Sequence, residues 1–160
     1  TDFAKESLFN VLNNRFDFED VRVLDLFSGT GNISYEFASR GTVDLTAVDQ
    51  NRNCTRFITA TSEELDAGIH VVQADALQYV RRASTSFDLI FADPPYDWEL
   101  HEDLAKSIID LGLLREGGEA ILEHSDQTDL SHLPGFFAHR RYGHVNFSFF
   151  SRPQDLVAED

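Results

Sequence analysis

The residues with most capacity for chemistry begin at the end of the first apolar run, Val23-Leu24-Asp25-Leu26-Phe27-Ser28-Gly29-Thr30-Gly31-Asn32. Gly29 and Gly31 fall where a strand turns into a helix. Glycine there lets the backbone approach a ligand closely, and the free N–H groups of the helix start face it. A dinucleotide fingerprint needs a third glycine where Ser34 stands, so it fails here. Asp25 adds a carboxylate beside the loop, which repels phosphate and pairs with an ammonium. The ligand these residues suit is a nucleoside without phosphates that carries an amino acid; the plainer reading is a tight turn. Two more acids stand at strand ends. Asp49 lies 18 residues beyond Gly31 and suits both hydroxyls of a ribose, and Asp75 can accept from an adenine amino group. Either acid alone is as readily a helix cap.

A second motif, Asp93-Pro94-Pro95-Tyr96, follows the apolar run 87–92. Two prolines make a stiff loop with fixed φ and no donors of its own, so its carbonyls are bare. A carboxylate and a carbonyl held a few ångström apart suit a planar amino group with two donors, and Tyr96 offers an aromatic face to the ring that carries it. The plainer reading is a rigid turn facing solvent.

These residues must be held by a fold, and the chain alternates strand and helix signals. Helices are expected over 3–15 (with Asp2 as N-cap), 32–40 (stopped by Gly41), 52–65, 77–82 and 99–111. Strands are expected over 21–27, 43–48, 69–73, 87–92 and 120–123, the last after a Gly117-Gly118 turn. Beyond Pro134, two aromatic-rich strands over 136–141 and 145–150 are joined by a link too short for a helical crossover, so they form an antiparallel hairpin. The expected fold class is α/β, Rossmann-like, with a mostly parallel sheet in a single domain over 1–160.

Composition narrows the function. The 42% hydrophobic share excludes a disordered tail or collagen, and no run reaches the ~18 apolar residues of a membrane span. One cysteine, Cys54, cannot close an intrachain disulfide, which points to a reducing, cytoplasmic compartment. The net charge of −15 repels nucleic-acid phosphates. Asp outnumbers Glu 17 to 11 and Arg outnumbers Lys 11 to 2, the balance of a chain adapted to high salt or simply of an acidic, solubilising surface. The chain has no Met and starts at Thr1, so a preceding segment is expected.

Asp25-Leu-Phe-Ser-Gly-Thr-Gly together with Asp93-Pro-Pro-Tyr resembles the class I S-adenosylmethionine-dependent amino-methyltransferases. More narrowly, Thr1-Asp2-Phe3-Ala4-Lys5-Glu6, Glu123 and the Tyr142-Gly143 hairpin are similar to the bacterial 16S ribosomal RNA guanine-N2 methyltransferase family, over about residues 1–151. The resemblance implies a seven-stranded sheet with the last strand inserted antiparallel. It also implies S-adenosylmethionine across the first strand ends. Asp25, Gly29 and Gly31 would hold its methionine part, Asp49 the ribose and Asp75 the adenine, with Phe27 and Ala76 completing the cofactor set. Asp93, Pro94, Pro95 and Tyr96 would hold the target base. Ribosomal RNA or the assembling small subunit is the implied partner. Phe3 departs from the family, standing where a basic residue is usual, and the family's basic hairpin falls ahead of Thr1, in the preceding segment that is expected.

The implied reaction is direct attack of an exocyclic nitrogen on the sulfonium methyl, with Asp93 and the Pro94 carbonyl localising the nitrogen lone pair. A paired base would have to be flipped out, and stacking on Tyr96 would offset that. Adenine N6, a protein glutamine, a binding module without turnover, and a nicotinamide oxidoreductase are the rivals; Asp at position 93 favours guanine, and Ser34 with Asp25 disfavours nicotinamide. The six histidines show no metal-ligand spacing, so no metal is expected. His124 is expected at the ligand edge, with a surface or capping role the plainer alternative. Arg81-Arg82 and Arg140-Arg141 are expected on solvated faces, and Tyr142 has a plausible substrate role.

Overall fold

The computed structural model describes residues 2–156. In chain order the elements are α1 (Asp2–Asn13), β1 (Arg22–Leu26), α2 (Asn32–Ser39), β2 (Asp44–Asp49), α3 (Arg52–Leu65), β3 (His70–Gln73), α4 (Ala76–Arg82), β4 (Phe87–Ala92), α5 (His101–Asp110), β5 (Leu114–His124), β6 (Phe136–Tyr142) and β7 (Val145–Phe150). A 3₁₀ turn over Pro153–Leu156 follows. The sheet order is β3-β2-β1-β4-β5-β7-β6. β1 to β5 run parallel, and β7 inserts antiparallel between β5 and β6. This is the seven-stranded sheet that the motifs imply.

Both faces of the central strands are covered, which is why they read as continuous apolar runs rather than alternating ones. Leu24, Leu26, Ile90, Ala92 and Leu122 pack toward α4 and α5. Val23, Leu89, Phe91 and Ile121 pack toward α1, α2 and α3. Side chains alternate faces along a strand. Asp25, Asp93 and Glu123 are therefore in phase with the second set, at or just beyond the carboxyl ends of β1, β4 and β5.

Three expectations are corrected. Asp2 is the first residue of α1 rather than a cap before it. α5 starts at His101, two residues later than its apolar spacing suggests. Gly117 and Gly118 do not precede a strand but lie inside β5, which starts at Leu114. The pairing with β4 jumps from Phe87–Leu114 to Leu89–Glu119, so the glycines form a bulge. A Cβ on Gly118 would stand 2.9 Å from the Asp88 carbonyl oxygen, so only glycine lets the strand pass that close.

The net charge of −15 sits on this frame with few compensating cations. If the surface is adapted to salt, the melting temperature should rise steadily in KCl from about 0.1 to 3 M, as the Debye length falls from ~10 Å to below 3 Å. A flat profile in that titration would leave the acidic surface with a solubilising role only.

Candidate active site

The loop after β1 has an unusual backbone. Phe27 adopts φ 57°, Gly29 φ 55° and Gly31 φ 95°. Gly31 precedes α2 without a side-chain cap. Its left-handed φ favours glycine, and a Cβ there would also displace the end of the Tyr35 ring, which lies 2.6 Å away. Around Gly29 there is open space instead. Phe27, a non-glycine residue in the left-handed region, is held by its ring packing edge-on against Trp98, centroids 5.0 Å apart.

Asp49 ties this loop to the end of β2. Its Oδ2 accepts from the Gly29 N–H at 2.9 Å and its Oδ1 from the Asn51 N–H at 2.8 Å. Each oxygen keeps a second lone pair, so the carboxylate can still accept from a diol. Asn51 caps α3 through Asn53 and Cys54. Asp75 caps α4, accepting from the Gln78 N–H at 3.0 Å. The cap of its plainer reading is made, and it uses one acceptor site of the carboxylate, so it is compatible with accepting from an adenine amino group.

A cavity of about 440 Å³ is lined by Phe27, Val48, Asp49, Ala74, Ala76 and the Asp93–Tyr96 loop. Apolar side chains with two carboxylates, Asp49 and Asp93, and the amides of Gln50 and Asn51 suit a nucleoside. Its neighbour, about 200 Å³, is lined by Asp25, Ser28, Asn32, Asp93 and Glu123 among others. Ser28 contributes a buried hydroxyl oxygen with no hydrogen-bond partner among the described residues. A polar amino-acid tail suits this second space, so the two together fit the ligand that the loop suggests. A third cavity, about 310 Å³, lies on the other side of Asp93 and is lined by the same loop with His101, Glu123 and His124. Asp93 borders all three. Tyr96 is 83% exposed, leaving its ring face free.

Asp25 is only 1% exposed. The Ser34 hydroxyl donates to its Oδ2 at 2.6 Å, so the residue that breaks the three-glycine fingerprint is the one that satisfies this carboxyl. Burial outweighs that bond and, with the charge of Asp93, pushes the Asp25 carboxyl up to about 7. A folded-state value above the unfolded one means that the native state keeps a proton the unfolded chain has lost. Stability from this group is therefore full below about pH 4 and is lost progressively as pH rises toward 7. Asp25→Asn should remove that part of the slope and raise the melting temperature at pH 8, as thermal melts across pH 4–8 would show. An unchanged slope would mean that Asp25 is ionised in the native state.

Spacing did not reveal the surroundings of Asp93. Glu123 borders two of the same cavities and acts on its carboxyl. The register pairs Ala92 with Leu122, which sets the next residues of two parallel strands side by side. His124 is corrected from a position beyond the strand to the last, buried residue of β5. Its Nε2 lies 2.7 Å from Ser148 Oγ and its ring stacks on His139. Burial lowers the pKa of His124, and likewise of His101, so both line the third cavity in favour of their neutral forms. Tyr142 packs edge-on against Phe3 and tilted against Phe147 rather than bordering these cavities. Arg141 is engaged by Asp126 through two 2.9 Å bonds. Among the described residues, no group of three or more His, Cys, Asp and Glu is placed to hold a metal ion, and no helix is long and apolar enough to cross a membrane.

Residues 1–151 match the family described as Conserved hypothetical protein 95. The chain is 32% identical over 140 residues to YlbH of Bacillus subtilis, an rRNA methyltransferase candidate, covering 84% of this chain and 75% of that one. It is 27% identical over 156 residues to ribosomal RNA small subunit methyltransferase D of Escherichia coli K12, covering 95% and 78%. Among solved structures, the Escherichia coli methyltransferase candidate yhhF superposes with a TM-score of 0.83 at 25% identity, over 95% of this chain and 85% of that one.

Proposed function

From the premise that the chain belongs to the Conserved hypothetical protein 95 family, we propose that it is an S-adenosylmethionine-dependent methyltransferase of ribosomal RNA, acting on N2 of a guanine in 16S RNA. The relatives named as ribosomal RNA methyltransferases support the reaction class. The observation that carries the finer reading is Asp93, which stands where the cavity suited to a nucleoside, a polar cavity and a third cavity lined by Tyr96 and three histidines converge.

S-adenosylmethionine supplies an electrophilic methyl when bound. Asp49, Phe27 and Ala76 line the space for its nucleoside, and Asp25 borders the space for its amino-acid end with Ser28 and Asn32, the residues that flank Gly29 and Gly31. Asp75 supports the nucleoside wall by holding the start of α4. Asp93 and the Pro94 carbonyl accept the two amine hydrogens, Pro95 stiffens the loop, and Tyr96 stacks on the base. Accepting both hydrogens localises the nitrogen lone pair, and the rigid loop aims it. Asp93 then takes the proton that the methylated nitrogen must lose.

Methyl transfer from labelled S-adenosylmethionine should enter 16S RNA within small subunits, in preference to naked RNA, DNA and protein. It should be recovered as N2-methylguanine. Label confined to DNA or protein, or recovered on adenine, would overturn the reading.

A further inference from the structure

We propose that Glu123 is a positioning residue that shares a single proton with Asp93, fixing which Asp93 oxygen meets the target amine and setting an upper pH limit on methyl transfer. The proposal rests on the function proposed above and adds a residue to its site. The register places the two residues side by side at the ends of β4 and β5, on the face that also holds Asp25. They border the same two cavities, where each carboxyl acts on the ionisation of the other. Two carboxylates that close cannot both ionise without strong repulsion, so one stays protonated. Burial and the charge of Asp93 push the Glu123 carboxyl up to about 8.

At neutral pH the Glu123 O–H therefore donates to one Asp93 oxygen and leaves the other as the acceptor for the amine. Asp93 remains the only charge of the pair. After transfer, the proton of the methylated nitrogen moves to Asp93, both carboxyls are briefly neutral, and one proton returns to solvent. Among the described residues, the other ionisable groups bordering these cavities are Asp2 and Lys5 of α1, Asp25 of β1, Tyr96 of the loop after β4, His101 of α5, His124 of β5 and His144 of the β6–β7 turn. Among them only Lys5 carries a fixed positive charge at pH 7, and it hydrogen-bonds to Asn32 and pairs with Glu36. The proton shared with Glu123 keeps Asp93 in place. Above about pH 8 the pair loses that proton, the two carboxylates repel, and the acceptor geometry is lost.

The test uses the whole chain with two readouts. In protein labelled with ¹³C at the Glu δ-carboxyl, one resonance should titrate near pH 8. It should vanish in Glu123→Gln and move toward the ordinary glutamate range in Asp93→Asn. A Glu123 resonance titrating with the exposed glutamates would overturn the shared proton, whether or not RNA is methylated. In the transfer assay, Glu123→Ala should lower kcat by about 10–100-fold, the loss of one hydrogen bond to a charged acceptor, with a smaller change in KM. Glu123→Gln keeps a donor and should recover most of that loss at pH 7. It should also retain its rate at pH 9, where the unsubstituted chain declines. The same alkaline decline in Glu123→Gln would overturn the positioning role. A high titration point without methylation of 16S RNA would leave the pair standing and reject the proposed substrate.

Discussion

Asp93→Ala should reduce methyl transfer by at least about 10³-fold while leaving affinity for S-adenosylhomocysteine within about threefold. The substitution removes both the amine acceptor and the group that takes the product proton, and pre-aimed groups of this kind account for several kcal/mol of barrier. It leaves the apolar walls of the nucleoside cavity and Asp49 intact, and so spares the binding step. Single-turnover transfer to small subunits and calorimetry on the same preparation separate the two effects. Asp93→Asn is the companion variant, since it keeps an acceptor but no charge and removes the repulsion that holds the proton on Glu123. Turnover persisting in Asp93→Ala would remove the proposed chemistry. A matching collapse of cofactor affinity would instead assign Asp93 to the cofactor.

Asp49→Ala should weaken S-adenosylhomocysteine by about 2–4 kcal/mol, through loss of two charge-assisted hydrogen bonds to the ribose. The structure adds a second route to the same loss. Asp49 also accepts from the Gly29 and Asn51 N–H groups, so its removal frees the glycine loop from the end of β2. Asp49→Asn distinguishes the routes. It keeps one carbonyl acceptor for the loop but replaces the other with a donor, which the Asn51 N–H would meet unfavourably and which a ribose hydroxyl can meet only by accepting. Calorimetry should rank the affinities as unsubstituted, then Asn, then Ala. Equal affinity in Asp49→Ala would sink the placement of the nucleoside.

Much of this architecture could be read from residue types. The continuous apolar runs over 23–27 and 87–92 required strands covered on both faces, and the Tyr142-Gly143-His144 link required antiparallel neighbours. The glycines and prolines named the two loops because their φ preferences are local properties of the residue. Asp25, Asp49 and Asp93 could be selected because acids at the carboxyl ends of parallel strands converge on one edge. Elsewhere local reading failed for identifiable reasons. The Gly117-Gly118 pair has the look of a turn, yet strand pairing on its flanks turned it into a bulge. Its tolerance for close backbone contact is visible only once Asp88 is beside it. Asp75 had two equally good readings, and its distance to the Gln78 N–H shows that the cap is made.

By itself the sequence determined the alternation of elements, the two loops and the acids that border them, because periodicity, backbone φ preference and charge act over a few residues. Only the tertiary structure decided which of those acids share a proton, which are satisfied internally and which face open space. Ser34 meets Asp25 across nine residues, and Glu123 meets Asp93 across thirty, through the pairing of β4 with β5. Burial, which raises both carboxyls of that pair, is a property of the packed sheet and its helices. No spacing along the chain encodes it, since it depends on which strands become neighbours.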